Sequence, residues 1–173
     1  NVSVSWSAND GTGVGGGIVL DGRPVHGAMH PEIGHLRLRR AAGDGFAGAC
    51  PFHGDCVEGL VSGPALAARF GMPGEAVPPD HPGWTHVASD IAELLAVLLL
   101  TTSVQHVLIG GGVGMGQAHL LAPVRARLVA LLGGYLPHVN AGTVTDMVGH
   151  PALGANAGPL GAIAIALVGL DGS

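Results

Sequence analysis

The stretch HPEIGHLRLRRAAGDGFAGACPFHGDC, His30–Cys56, holds both cysteines of the chain and three of its ten histidines. Within it, CPFHGDC sets Cys50, His53 and Cys56 at three-residue intervals in a loop bent by Pro51 and Gly54. A Cys-x2-His-x2-Cys loop can wrap three soft or borderline ligands around one ion, and zinc takes a fourth in tetrahedral array. Two upstream histidines can supply it, His35 and His30. Structural thiols buried among apolar neighbours have no reason to flank Pro, His, Gly and Asp, so the pair reads as metal ligands. Such an ion is structural, pinning a long loop that has little core of its own. Glu32 and Glu58 bracket the cluster. Carboxylates fixed on a rigid loop suit sugar hydroxyls, which need charged, well-placed acceptors.

Composition bounds the rest. Of 173 residues, 47% are hydrophobic and 11% charged, which excludes disorder despite 31 glycines and 12 prolines. A net charge of −5 gives no footprint for nucleic acid, and the one basic cluster, Arg37, Arg39 and Arg40, is too small to change that. The most apolar run, Ile91–Leu100, is ten residues long and carries Glu93. A membrane span needs about 20, so this run is expected to be a buried helix. A mean hydropathy of +0.46 fits apolar surface that packs against a further domain. The chain begins at Asn1 without a secretory pattern and reads as a fragment or processed piece of a cytoplasmic protein, where a disulfide is disfavoured.

Val2–Ser7 alternates as a half-buried strand does, and Gly17–Ala28 reads as a hairpin around Asp21-Gly22. Helical spacing covers Val57–Leu60, Gly63–Phe70, Trp84–Thr102, Gly116–Leu132 and Leu160–Leu170. His106–Val113 reads as a buried strand running into three glycines, and Thr143–Val148 as a further strand. Strands followed by alternating helices and strands give an α/β fold with helices packed on a mixed sheet. Three glycine turns, GTGVG, IGGGV and LGANAG, adjoin apolar strands and are expected to let backbone approach a nucleotide. None fits the P-loop, and the dinucleotide spacing at Gly11, Gly13 and Gly16 precedes a hairpin rather than a helix.

The segments GTGVGGGIVLDGRPVHG, HPEIGH, CPFHGDCVEGLVSGPAL, IGGGV and LGANAGPLGA occur in the order found in the ROK family of bacterial sugar kinases, which the chain resembles from about Gly11 to Leu167. Its metal loop, with histidine in the middle position, looks like that of the fructokinase branch. The resemblance implies an actin-like ATPase (ribonuclease-H-like) fold in which residues 1–173 supply the C-terminal lobe, with the zinc loop at about 30–58. It implies a structural Zn²⁺ on His35, Cys50, His53 and Cys56, which favours His35 over His30. Glu32, His35 and Glu58 would contact the hexose. Gly11, Thr12 and Gly13 would adjoin the ATP phosphates, and Pro64, Gly111, Gly112, Ala155 and Asn156 would line the nucleotide.

The implied reaction is ATP- and Mg²⁺-dependent phosphorylation of a hexose, D-fructose to fructose 6-phosphate, by a homodimeric enzyme. The family's phosphate turn and general-base aspartate lie on an upstream lobe not present in the sequence; Asp10, directly against GTG, is not expected to replace that base. The chain alone is therefore expected to be inactive. Alternatives are a kinase for glucose, mannose or N-acetylhexosamine, or the sugar-responsive part of a ROK repressor.

Overall fold

The computed structural model describes residues 2–8 and 13–156. Gly11, Thr12, Asp10 and the expected helix Leu160–Leu170 lie outside the described residues. Among the described residues, five strands form one mixed sheet in the order β3-β2-β1-β4-β5. Strand β1 (Val2–Ala8) pairs antiparallel with β2 (Gly15–Leu20), with Ser5 opposite Gly17. On its other side it pairs parallel with β4 (His106–Gly110), with Ser5 opposite Leu108. The hairpin turn is the expected one: Asp21 and Gly22 both take positive φ, at 49° and 77°, the geometry that matches strand twist. Its second arm, β3, is only Arg23–Pro24. Pro24 has no N–H to extend a ladder, which confines it to this edge.

Strands β1 and β4 are neighbours in the sheet, yet more than half of the chain lies between them in sequence. Helices α1 (Val57–Val61) and α2 (Gly63–Phe70) follow the metal loop back to back. Ser62 separates them and caps α2, its hydroxyl accepting the Ala65 N–H at 3.3 Å. Helix α3 (Trp84–Thr102) has the length and hydropathy of a membrane span, yet Val87, Ile91, Leu94, Leu95, Leu98 and Leu99 are all buried in the core. It packs against α5 (Leu121–Leu132), which contributes the buried Val124, Leu128 and Leu132.

Three expectations are corrected. The strand from His106 ends at Gly110 rather than Val113: Gly111, at φ 75°, turns the chain into a short helix, α4 (Gly111–Gly116). A 3-10 turn at Ala118–Leu120 then separates α4 from α5, so the helix expected over Gly116–Leu132 is interrupted. Thr143–Val148 is mostly helix, α6 (Val144–Met147), followed by a two-residue strand, β5 (Val148–Gly149). Thr143 and Val144 N–H groups both bond the Asn140 carbonyl, at 3.1 and 2.9 Å, which winds the chain before it reaches the sheet. Only then does Val148 pair with Val107, while Arg125 Nε donates to its carbonyl at 2.8 Å.

Candidate metal centre and ligand cleft

The CPFHGDC segment folds back on itself. Cys50 and Gly54 exchange backbone hydrogen bonds at 3.1 and 2.9 Å, which closes a tight knuckle. The knuckle sits directly on α1: a β-carbon on Gly59 would overlap the Gly54 carbonyl and lie 2.7 Å from the Cys50 nitrogen. Only glycine permits that approach. His35, at the end of a 3-10 turn over Ile33–His35, reaches in from the opposite side.

The donor atoms of His35, Cys50, His53 and Cys56 all lie within 4.8 Å of one another. Sγ of Cys50 is 3.9 Å from Nδ1 of His35 and 3.9 Å from Nδ1 of His53, and Sγ of Cys56 is 3.7 Å from Nδ1 of His35. Tetrahedral zinc with ordinary Zn–S and Zn–N bonds needs S···N edges of about 3.6 Å, so this S2N2 set fits the ion with small adjustments. The cysteines are not joined as a disulfide, and both are buried. Burial raises both thiols. At Cys50 the Phe52 and His53 N–H groups outweigh that and hold it below its ordinary value, whereas burial pushes Cys56 up.

The neighbouring carboxylates divide in role. Glu58, in the first turn of α1, accepts the Val14 N–H through Oε2 at 3.1 Å. That contact ties the metal loop to the glycine turn, and a β-carbon on Gly13 would meet the same oxygen at 2.9 Å. Glu32 faces outward, 48% exposed, and pairs with His30 at 2.8 Å. His30 is therefore engaged elsewhere, and His35 is the histidine beside the thiols.

A charge network, not anticipated from sequence, holds the loop between His35 and Cys50. Arg69 of α2 bridges Asp44 of the loop at 3.0 Å and Asp90 of α3 at 2.9 Å, with all three side chains at most 6% exposed. Arg40 adds a 2.6 Å bond to Asp44 and donates to the Phe46 carbonyl at 2.9 Å, and Arg69 stacks over the Phe46 ring. Burial raises Asp44, but hydrogen bonds from Arg40, the Phe46 N–H and Arg69 bring it down to about 2. For Asp90, burial prevails over the attraction of Arg69 and Arg40 and pushes it up to about 6. The signal in the sequence is Asp90 itself, an acid placed one residue before the apolar run of α3.

The remaining expected residues gather some way along the chain. Pro64 and Gly112 line one open cleft of about 510 Å³ between α2 and α4, together with Glu75 and Gln117, which sequence reasoning passed over. Gly111 forms the β4–α4 turn, and the 3-10 turn Gly154–Asn156, which holds Ala155 and Asn156, packs against α4.

With this geometry in place, comparison with known proteins is decisive at the family level. Residues 7–168 match the sequence model of the ROK family. The chain belongs to the ROK family. A fructokinase of Pediococcus pentosaceus is 35% identical over 160 residues, covering 92% of this chain and 54% of the relative. A fructokinase of Streptococcus mutans is 38% identical, covering 90% and 53%. Among solved structures, the ROK hexokinase of Thermus thermophilus superposes with a TM-score of 0.62 at 27% identity, covering 93% of this chain and 55% of that one. This ROK chain thus spans about half the length of those relatives, and its fold is the actin-like ATPase fold of the family.

Proposed function

We propose that this ROK chain is the C-terminal lobe of an ATP-dependent hexose kinase, with D-fructose as the substrate. The observation that carries the reading is the joining of two sites by one carboxylate: Glu58 begins the helix that the His35/Cys50/His53/Cys56 knuckle rests on, and it also holds the Val14 amide of the glycine turn. The identity of 35% and 38% to two fructokinases supports fructose over other hexoses.

Zn²⁺ on the four donors would supply a cross-link and no step of the reaction. The residues of this chain then bind and orient. His35 and Glu58 present a fixed face to the sugar, with Glu32 at its exposed rim, and carboxylate oxygens accept sugar O–H donors. The cleft between α2 and α4, walled by Pro64 and Gly112, takes the nucleotide, and the Gly11–Gly13 turn would adjoin its phosphates. Mg²⁺ would neutralise charge on the transferring phosphoryl group. The base that deprotonates the attacking hydroxyl belongs to a segment outside these 173 residues, so the chain alone binds ligands without turnover; dimerisation belongs to the whole enzyme.

Isothermal titration of the zinc-loaded chain with D-fructose, glucose, mannose and N-acetylmannosamine tests the reading. Tightest binding to fructose, abolished by Cys50→Ser, is the expected result. Binding of none of these sugars would overturn it, and preference for another hexose would move the substrate assignment alone.

A further inference from the structure

The cleft between α2 and α4 contains a polar group that the fold leaves unmet. Gln117, which follows the last residue of α4, is 8% exposed. Among the described residues, its side-chain amide has no hydrogen-bond partner, although its backbone N–H bonds the Val113 carbonyl at 3.0 Å. Neither of its amide atoms is sealed from the surroundings, so the small exposed part of this otherwise buried side chain is free to bond a molecule in the cleft. Gln117 lines the 510 Å³ cleft, and its Nε2 lies 3.8 Å from where a β-carbon on Gly74 would stand. The amide thus sits behind a stretch of backbone without a side chain, open to a flat ligand.

The other lining groups say which part of a ligand belongs here. Pro64, Pro73, Gly112 and Gly116 offer apolar, low-relief walls, and a β-carbon on Gly116 would meet nothing. Among the described residues, the one charged side chain lining the cleft is Glu75. An acidic, cation-free cleft repels phosphate and favours a neutral planar ring. A carboxamide presents one donor and one acceptor side by side, and adenine answers with N7 and its 6-amino group. Hypoxanthine shows two acceptors on that same edge, so one of the two bonds is lost and replaced by repulsion.

We propose that Gln117 is the base-reading residue of this chain, selecting adenine nucleotides by pairing its amide with the N6/N7 edge of the ring. This rests on the kinase reading of the cleft, and the test separates the two.

The 173-residue chain is titrated with ADP and with IDP, as wild type and as Gln117→Leu, and the melting temperature of each is recorded. Wild type is expected to favour ADP by about tenfold, the discrimination typical of one two-point base contact. In Gln117→Leu the preference should vanish through loss of ADP affinity, with the melting temperature unchanged because the amide bonds no other described residue. Should the leucine variant not fold, Gln117→Glu, similar in shape but without a donor, reads the same ratio. An ADP preference that survives either substitution overturns the assignment and leaves the kinase reading standing. A lowered melting temperature with an intact preference makes Gln117 structural and equally overturns it. If wild type binds neither nucleotide, the kinase reading of the cleft fails and Gln117's role fails with it.

Discussion

The carboxylate of Glu58 holds the backbone N–H of Val14 at 3.1 Å, across 44 residues of chain. Through it, the helix that carries the metal knuckle is bonded to the turn leading into β2. Because this hydrogen bond joins the two segments directly, small changes at either end should be felt at both sites.

Glu58→Ala is expected to weaken sugar binding and to lower stability by about 1.5–3 kcal/mol, the usual worth of a hydrogen bond to a charged group. Gly13→Ala should mimic it in part, because its β-carbon would stand 2.9 Å from Glu58 Oε2 and push the carboxylate away. Paired denaturation curves and fructose titrations of the two variants check this; a Gly13→Ala protein indistinguishable from wild type would refute the coupling.

Metal analysis of the purified protein should return one zinc per chain. Chelation, or Cys50→Ser, should release it and expose the segment around 47–56 to protease, the outcome expected if an ion on the four donors orders that loop. Limited proteolysis with and without chelator reads the effect directly.

Acidity should act on the Arg69 network in two opposed stages. Asp90 titrates at about 6 in the folded protein against 3.8 as a free side chain. The native state therefore takes up its proton first, and lowering the pH from 7 to 4 relieves a penalty on the order of 2–3 kcal/mol. Asp44, held at about 2, contributes stability that is present above pH 3.8 and is lost as pH falls toward 2. Urea unfolding of wild type and Asp90→Asn at pH 7 and pH 4.5 isolates the first stage, because acid release of the metal affects both alike. The balance between them should move toward wild type at the lower pH.

Removing Arg69 leaves the buried Asp44 and Asp90 with Arg40, which bonds Asp44 at 2.6 Å and stands 3.9 Å from Asp90. Arg69→Ala is expected to cost about 3–5 kcal/mol, and Arg69→Met less than Arg69→Ala, because its unbranched stem retains packing against Phe46. Thermal melts rank the two.

What could be read from sequence follows from how local each signal is. The Asp21-Gly22 hairpin, the long apolar helix and the knuckle at Cys50–Cys56 each depend on residues a few positions apart, and each appears as expected. The helical start at Gly111 was hidden because glycines give no periodicity to count. Thr143–Val148 looked like a strand from its β-branched residues, but the Asn140 turn decided its course. The Arg69 bridge to Asp44 and Asp90 joins positions 25 and 21 residues away, and no local pattern announces such a partnership. The same holds for Gln117, whose meaning comes from Gly74 opposite it.

The central place of β1 in the sheet has a consequence for how the chain is made. Its neighbours in space are β2, a few residues on, and β4, about a hundred residues on. During synthesis the strand must wait, one edge bare, until His106–Gly110 has left the ribosome. Pairings this distant are slow to form and open to wrong partners meanwhile. A nascent chain halted before residue 106 would thus present a sticky, half-built sheet, which makes elongation rate and chaperone supply decisive for its yield.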